Sequence, residues 1–307
     1  MRIVFFGTPE FAVPSLQALL RERYTVVGVV TQPDRPQGRS RSTLVAPPVK
    51  QEAERAGIPV LQPIRPLGDV FLACLRHLAP DLGVVVAYGH ILRPTVLSVP
   101  PHGMINVHAS LLPRWRGAAP IQHAILAGEP ESGVSIMGLE EGLDSGPVLH
   151  RVATPIGPDE TAGELAARLA ELGAGALVDA LSLLGSGLAR AEPQDAARAT
   201  FAPKIDRESA RLDWRREAAA LARQVRAFDP APGAWTTQDG TVVKLFGAVP
   251  TPERGEPGCV LAAGARLVVG CGNGALAIGE VQPAGKKRLP VGDWVRGRGI
   301  AVGARLV

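Results

Sequence analysis

The first thirty residues constrain the fold most, because two apolar runs flank one amphipathic segment. Ile3–Phe6 is a compact apolar run, and Tyr24–Val30 is nearly continuous in apolar and β-branched residues. Between them, Pro9–Arg21 places its leucines at helical spacing, with Thr8 as the expected N-cap. Apolar strands joined by a helix are typical of a parallel sheet that is covered on both faces. The sequence therefore predicts an α/β domain.

The turn after the first strand argues against a dinucleotide-binding enzyme. It contains the single glycine Gly7 and lacks the G-x-G-x-x-G run that lets a backbone approach a pyrophosphate. Thr31–Lys50, which follows the second strand, has four prolines, three arginines and no periodicity. It is expected to be a long exposed loop, and such loops are often functional.

The remainder of the first domain continues the alternation of strands and helices. Further strands are expected at Asp81–Ala87, Gly133–Leu139 and Val148–Pro155, and a long helix at Thr161–Leu184. Residues 1–189 then form one domain, and residues 190–205, which show no clean pattern, form a linker. In residues 206–307, a helix at Trp214–Phe228 precedes five short β segments, which suggests a small barrel of the OB type.

Positive charge is concentrated in the last third of the chain. The whole chain has 33 Lys and Arg against 29 Asp and Glu, but residues 190–307 hold 18 basic and 12 acidic residues. The densest basic run is Lys286, Lys287 and Arg288. Either this is an ordinary solvated surface or it meets a polyanion, and a small basic barrel favours nucleic acid.

Cysteine usage and the N-terminal sequence bear on location. The three cysteines form no close pair, which is typical of a reducing compartment. The apolar run near Met1 is too short for a signal-peptide core or a membrane span. We therefore expect a cytoplasmic protein without a membrane association, and a monomer.

Three polar residues are candidates for catalysis. Asn106 and His108 alternate with Val107 on an expected strand, so their side chains project from one face. An amide donor beside an imidazole suits acyl transfer, in which a carbonyl oxygen gains charge while a nucleophile loses a proton. Asp144, on a glycine-rich loop after a strand, could orient His108. Each residue alone is more often structural. No His, Cys or carboxylate cluster has metal-ligand spacing, so no metal is expected.

Five motifs in order carry a resemblance to the methionyl-tRNA formyltransferase family along nearly the whole chain. They are GTPEFAVPSL, TQPDRPQGR, NVHASLLPRWRGAAPIQ, GLDSGPVL and QPAGKKR. The resemblance implies a Rossmann-like N-terminal domain that holds 10-formyltetrahydrofolate as formyl donor. It also implies a C-terminal OB-like barrel that helps to dock initiator methionyl-tRNA, and hence a role in translation initiation.

The resemblance also implies roles for individual residues. Asn106, His108 and Asp144 match the family's catalytic residues. The folate-binding segment corresponds to Ser110, Leu111, Leu112 and Pro113, and the tRNA-recognising insertion to the loop with Arg35, Arg39 and Arg41. Two departures leave open which loop side chains contact phosphate: Arg41 and Ser42 stand where lysines are usual, and His123 where arginine is.

Rival functions use the same residues. Formyl transfer to a small amine, such as a purine precursor or an amino sugar, would need the same three side chains, although the basic second domain argues against it. Water in place of the amine would make the chain a hydrolase that releases formate. A catalytically silent RNA-binding protein would not need intact Asn106, His108 and Asp144.

Overall fold

The structure, a computed structural model, describes residues 1–37, 43–297 and 299–307. It divides into two compact units, each built from several segments. The first unit consists of Met1–Pro120, Glu131–Pro155 and Ala166–Ala202. The second consists of Ile121–Pro130, Ile156–Leu165 and Pro203–Val307.

The first unit is built on a seven-stranded sheet, counted over the described residues. Its elements include the strands β1 (Arg2–Gly7), β2 (Thr25–Val30), β3 (Arg35–Gln37), β4 (Thr43–Val45), β5 (Val60–Leu61), β6 (Leu82–Val86), β7 (Met104–His108), β8 (Glu131–Gly138) and β9 (Val148–Pro155). The sheet order is β5-β2-β1-β6-β7-β8-β9, and β3 pairs separately with β4. Neighbours from β5 to β7 are parallel, whereas the β7–β8 and β8–β9 pairs are antiparallel. The predicted mostly parallel α/β sheet is confirmed.

The helices of the described residues follow the predicted alternation. They are α1 (Val13–Arg21), α2 (Pro48–Arg55), α3 (Asp69–His77), α4 (Pro94–Leu97), α5 (Pro120–Ala127), α6 (Ala162–Gly185), α7 (Ala218–Ala227) and α8 (Val291–Arg296). The central strands are buried along their length; in β6 every residue is buried. Continuous apolar runs are therefore tolerated there because helices cover the sheet. None of the described helices is long and apolar enough to cross a membrane.

Two predicted details near the N-terminus are wrong. Thr8 does not cap α1, because its hydroxyl donates to the backbone oxygen of Tyr88 at 3.1 Å, and a 3-10 turn at Glu10–Ala12 precedes the helix. The segment Thr31–Lys50 is not simply a loop. It contains the antiparallel β3–β4 pair, in which Arg35 lies opposite Val45.

The second unit contains an antiparallel sheet. Its strands are β10 (Trp235–Gln238), β11 (Thr241–Thr251), β12 (Val260–Ala263), β13 (Leu267–Gly270), β14 (Ala275–Pro283) and β15 (Leu289–Pro290). Their order is β10-β11-β14-β13-β12, with β15 also on β14, and the sheet curls into a half-barrel against which α7 packs. This matches the predicted class of a small β domain.

The helix before this sheet starts later than predicted. Its first residue is Ala218 and not Trp214. The Asp213 carboxylate accepts the Arg215 backbone N–H at 3.1 Å, and the Asp213 carbonyl accepts the Arg216 N–H at 3.0 Å. A side chain that bonds its own backbone two residues on forms a turn, so the chain is not yet helical there.

Helix α6 packs onto the strand that carries the candidate catalytic residues. At Gly173 an added Cβ would lie 2.9 Å from Cγ1 of Val107, a stiff β-branched side chain that is 4% exposed. Only glycine therefore allows this close approach. Two residues further on, Gly175 has nothing within 4 Å of such an added atom.

These two glycines give a matched stability test. Gly173→Ala should lower the free energy of unfolding by about 1–3 kcal/mol, because the added methyl overpacks the core. Gly175→Ala should raise it by about 0.5–1 kcal/mol, since alanine favours a helix. Urea denaturation measures both. Equal effects of the same sign would contradict the packing of α6 on β7.

Candidate functional site

Strand β7 presents two polar side chains on one face. It lies between β6, where Val85 is opposite Asn106, and β8, where Ser135 is opposite His108. Because side chains alternate along a strand, Asn106 and His108 share one face and Val107 points to the other, toward α6. The structure thus gives these two residues the relation that the sequence predicts.

The imidazole of His108 is buried, with 6% of the residue exposed, and each of its ring nitrogens faces a polar group. Its Nε2 lies 2.9 Å from the backbone oxygen of Trp115. Since a carbonyl oxygen only accepts, Nε2 carries the hydrogen and donates it. In the neutral ring Nδ1 is then unprotonated, and it faces the Asp144 carboxylate with 3.7 Å between Nδ1 and Oδ2. That separation is too long for a direct hydrogen bond.

Asp144 is held in an uncommon conformation. Its φ is 46°, in the left-handed region that aspartate tolerates better than most residues. Its Oδ2 accepts the backbone N–H of Gly117 at 2.8 Å. Gly117 itself has a φ of 120°, and a Cβ there would lie 2.7 Å from the Ala202 oxygen. The carboxylate is therefore fixed from outside its own loop.

By contrast, the Asn106 side chain has no fixed partner in the part of the chain that the structure describes. No described residue hydrogen-bonds its amide, and the residue is neither fully buried nor fully exposed. The amide can therefore donate to a bound molecule without first breaking a bond. A free amide donor, an imidazole with an available ring nitrogen and a carboxylate together suit acyl transfer. The described residues contain no group of three or more His, Cys, Asp or Glu that could hold a metal.

The segment Ser110–Pro113 is tied to β8 through one serine. The Ser135 hydroxyl donates to the Ser110 oxygen at 2.7 Å and accepts the Leu112 N–H at 3.0 Å. Ser110 and Leu112 are buried, with Leu112 packed against Met137. Leu111 and Pro113 are only partly buried. Buried and partly buried side chains therefore alternate along the segment.

The β3–β4 pair is anchored by a polar cluster beside β3. Arg35 donates to the side-chain oxygen of Gln32, whose amide donates to the Tyr88 carbonyl at 3.0 Å. Lys50 and Gln62 both bond Asp34, at 2.8 and 2.7 Å. The hydrogen bond from Gln62, and then that from Lys50, lower the pKa of Asp34 below its ordinary value. Arg39 and Arg41, predicted to bind tRNA, lie outside the described residues.

The basic run near the end of the chain separates into two kinds of residue. Lys286 and Lys287 are exposed. Arg288 instead bonds the buried Asp229 carboxylate at 2.8 Å, pairs with Glu280 at 2.5 Å, and lies over the Phe246 ring at 4.1 Å. Its guanidinium is therefore already committed to partners within its own unit.

Sequence patterns missed the residues that support the carboxylate loop. Gln194, inside the stretch expected to be a linker, bonds Arg116 and the backbone oxygens of Asp144 and Gly146. Ser135, a buried strand residue, was missed as well. No periodicity or motif marks either residue, because each acts through backbone atoms that are distant in the sequence.

Comparison with known proteins agrees with this geometry. The formyl transferase family matches residues 1–181, and the formyl transferase C-terminal domain matches residues 204–299. A methionyl-tRNA formyltransferase of Methylococcus capsulatus is 50% identical, covering 100% of this chain and 99% of its own. The enzyme of that name from Geotalea daltonii is 47% identical, covering 100% and 98%.

Solved structures share the fold at lower identity. HypX from Aquifex aeolicus in complex with tetrahydrofolic acid has a TM-score of 0.65 at 23% identity, over 97% of this chain and 47% of that one. Methionyl-tRNA formyltransferase from Clostridium thermocellum has a TM-score of 0.57 at 12% identity, over 81% and 93%. From the full-length matches in sequence, the chain belongs to the methionyl-tRNA formyltransferase family.

Proposed function

We propose that this chain transfers the formyl group of 10-formyltetrahydrofolate to the α-amine of methionyl initiator tRNA, giving formylmethionyl-tRNA and tetrahydrofolate. The relatives that match its full length carry this activity in their names. The observation that carries the proposal here is the amide of Asn106, which has no hydrogen-bond partner among the described residues. It shares a face of β7 with an imidazole that donates to the Trp115 carbonyl and lies 3.7 Å from the Asp144 carboxylate.

Asn106 is assigned to the charge that develops on oxygen. When the amine nitrogen attacks the formyl carbon, the C–N bond forms and the carbonyl electron pair moves to the oxygen. A preorganised amide N–H stabilises that oxyanion more than it stabilises the neutral carbonyl, and so lowers the barrier. The absence of a competing bond among the described residues leaves this N–H available.

His108 and Asp144 are assigned to the proton. With Nε2 donating to Trp115, the lone pair on Nδ1 can accept the proton that the attacking amine loses. Asp144, 3.7 Å away, stabilises the resulting imidazolium by opposite charge. The C–N bond to the donor then breaks, and the departing folate nitrogen takes up the proton. Atoms and charge balance without a metal.

The folate and the tRNA are assigned to different surfaces. Leu111 and Pro113, with the backbone of Ser110–Pro113, are proposed to contact the folate, because Ser110 and Leu112 are used inside the protein. Lys286 and Lys287, together with Arg35, Arg39 and Arg41, are proposed to contact tRNA phosphates. Arg288 belongs to the same proposed surface, and its guanidinium also bonds Asp229 and Glu280.

The remaining expectations belong to this proposal too. All three cysteines, Cys74, Cys259 and Cys271, are free thiols, which supports a reducing cytoplasmic location. We propose that the chain acts as a monomer, and light scattering would test this.

One assay tests the proposed activity. Purified protein is incubated with 10-formyltetrahydrofolate and methionyl initiator tRNA, and formylmethionine is quantified after the ester is hydrolysed. Formylation that depends on both substrates is the expected result. Release of formate from the donor alone would indicate a hydrolase, and no turnover at all would contradict the proposal.

Replacing Asn106 tests its role in the transition state. Asn106→Ala should lower kcat by about 10²–10³, the usual cost of losing an oxyanion donor. Asn106→Asp, which is similar in size but offers no amide donor, should also lose activity. Asn273→Ala, at an exposed asparagine of the second unit, is the matched control. A wild-type kcat in Asn106→Ala would remove Asn106 from the mechanism.

The basic run gives a second test. Lys286→Gln and Lys287→Gln should weaken tRNA binding and lower the slope of log affinity against log salt by about 0.9 for each phosphate that is no longer neutralised. Their free energy of unfolding should stay unchanged, since both side chains are exposed.

Arg288→Gln should instead destabilise the protein by about 1–3 kcal/mol, because it leaves the Asp229 carboxylate unpaired. A wild-type salt slope in both lysine variants, or a wild-type free energy of unfolding in Arg288→Gln, would contradict these assignments.

A further inference from the structure

We infer that Gln194 is a positioning residue that sets the Asp144 carboxylate opposite His108 for formyl transfer; the inference rests on the proposed function. The Gln194 side chain uses all of its hydrogen-bonding capacity. Its oxygen accepts from Nε and Nη2 of Arg116 at 3.0 and 2.8 Å. Its nitrogen donates to the backbone oxygens of Asp144 and Gly146 at 2.9 and 2.7 Å.

The loop that Gln194 holds needs an external constraint. Gly142 and Gly146 flank Asp144, and glycines leave a backbone with many conformations. Asp144 adopts a left-handed φ of 46°, which is only one of the conformations open to an aspartate between glycines, so the loop by itself does not select it. The two amide hydrogens of Gln194 bond the loop at Asp144 and at Gly146. They fix the peptide carbonyls, while Gly117 fixes the carboxylate.

Gln194 is itself firmly held, so it can act as a fixed point. Before it, Glu192 and Val148 exchange two backbone hydrogen bonds, at 2.8 and 2.9 Å. After it, the Ala202 N–H donates to the Arg116 carbonyl at 2.7 Å, and the Thr200 carbonyl accepts the Arg116 N–H at 2.9 Å. Arg116 is 8% exposed and belongs to the loop that follows His108. Gln194 therefore ties the loop after β7 to the loop after β8.

An amide is the group that this position requires. Toward Arg116 the site needs an acceptor, and toward the two carbonyls it needs two donors. A glutamate would keep the pair with Arg116 but would place a carboxylate against the carbonyl oxygens of Asp144 and Gly146. Gln194→Glu therefore separates the positioning of Asp144 from the anchoring of Arg116.

The test compares kinetics with a signal that needs no substrate. In Gln194→Glu, kcat should fall by about 10- to 100-fold, the scale expected when a reacting group is misplaced by about 1 Å. The KM values for folate and tRNA should change little. The amide resonance of Gly117, which donates to Asp144, should shift in the free protein. Asp195→Asn, at the next residue, is the matched control and should leave kcat unchanged, because the exposed Asp195 side chain accepts the Ala197 N–H of its own turn and an amide oxygen can do the same.

Two outcomes overturn the inference. One is a kcat in Gln194→Glu equal to that of the wild type, and the other is an unshifted Gly117 resonance in that variant. If the glutamate variant does not fold, Gln194→Asn is used instead, because asparagine keeps the amide but is shorter by one methylene. A wild-type kcat in Gln194→Asn would also contradict the inference. A wild type that fails to formylate contradicts the proposed function instead, while the Gly117 resonance still tests the positioning.

Discussion

The hydrogen bond from Nε2 of His108 to the Trp115 carbonyl determines what the rest of the site can do. The ring is buried and its acceptor is a backbone oxygen, which cannot move away by a side-chain rotation. Because it fixes the hydrogen on Nε2, the other ring nitrogen is left to accept a proton. The proximity of Asp144 then matters for an imidazolium and much less for the neutral ring.

Support for this arrangement comes from loops that the sheet brings together. Strand β7 delivers Asn106 and His108, and its parallel neighbour β6 and antiparallel neighbour β8 fix its register. The loop after β8 returns Asp144 to the end of β7, where the Gly117 N–H meets it. Gln194, from a segment far along the chain, closes the arrangement. Mutual geometry thus depends on hydrogen bonds to backbone atoms more than on contacts between side chains.

The sequence predicted the features that leave a periodic pattern or a motif in it. Apolar runs such as Ile3–Phe6 marked the buried parallel strands, and alternation placed Asn106 and His108 on one face. Prediction from the sequence failed where a partner distant in the chain determines what a side chain bonds. Thr8 is a good N-cap by residue type, but the Tyr88 carbonyl lies within reach of its hydroxyl. The basic run likewise gave no sign that Arg288 pairs with Asp229 and Glu280. Gln194 left no local signal, since its partners are 48 to 78 residues away.

The central claim concerns the protonation of one ring, and nitrogen NMR measures it directly. The chain has six histidines, and the His108 signals are assigned by their loss in His108→Gln. At a pH where the imidazole is neutral, this account predicts that Nε2 bears the hydrogen and that Nδ1 shows the shift of an unprotonated ring nitrogen. A His108 ring protonated on Nδ1, with Nε2 bare, would contradict it.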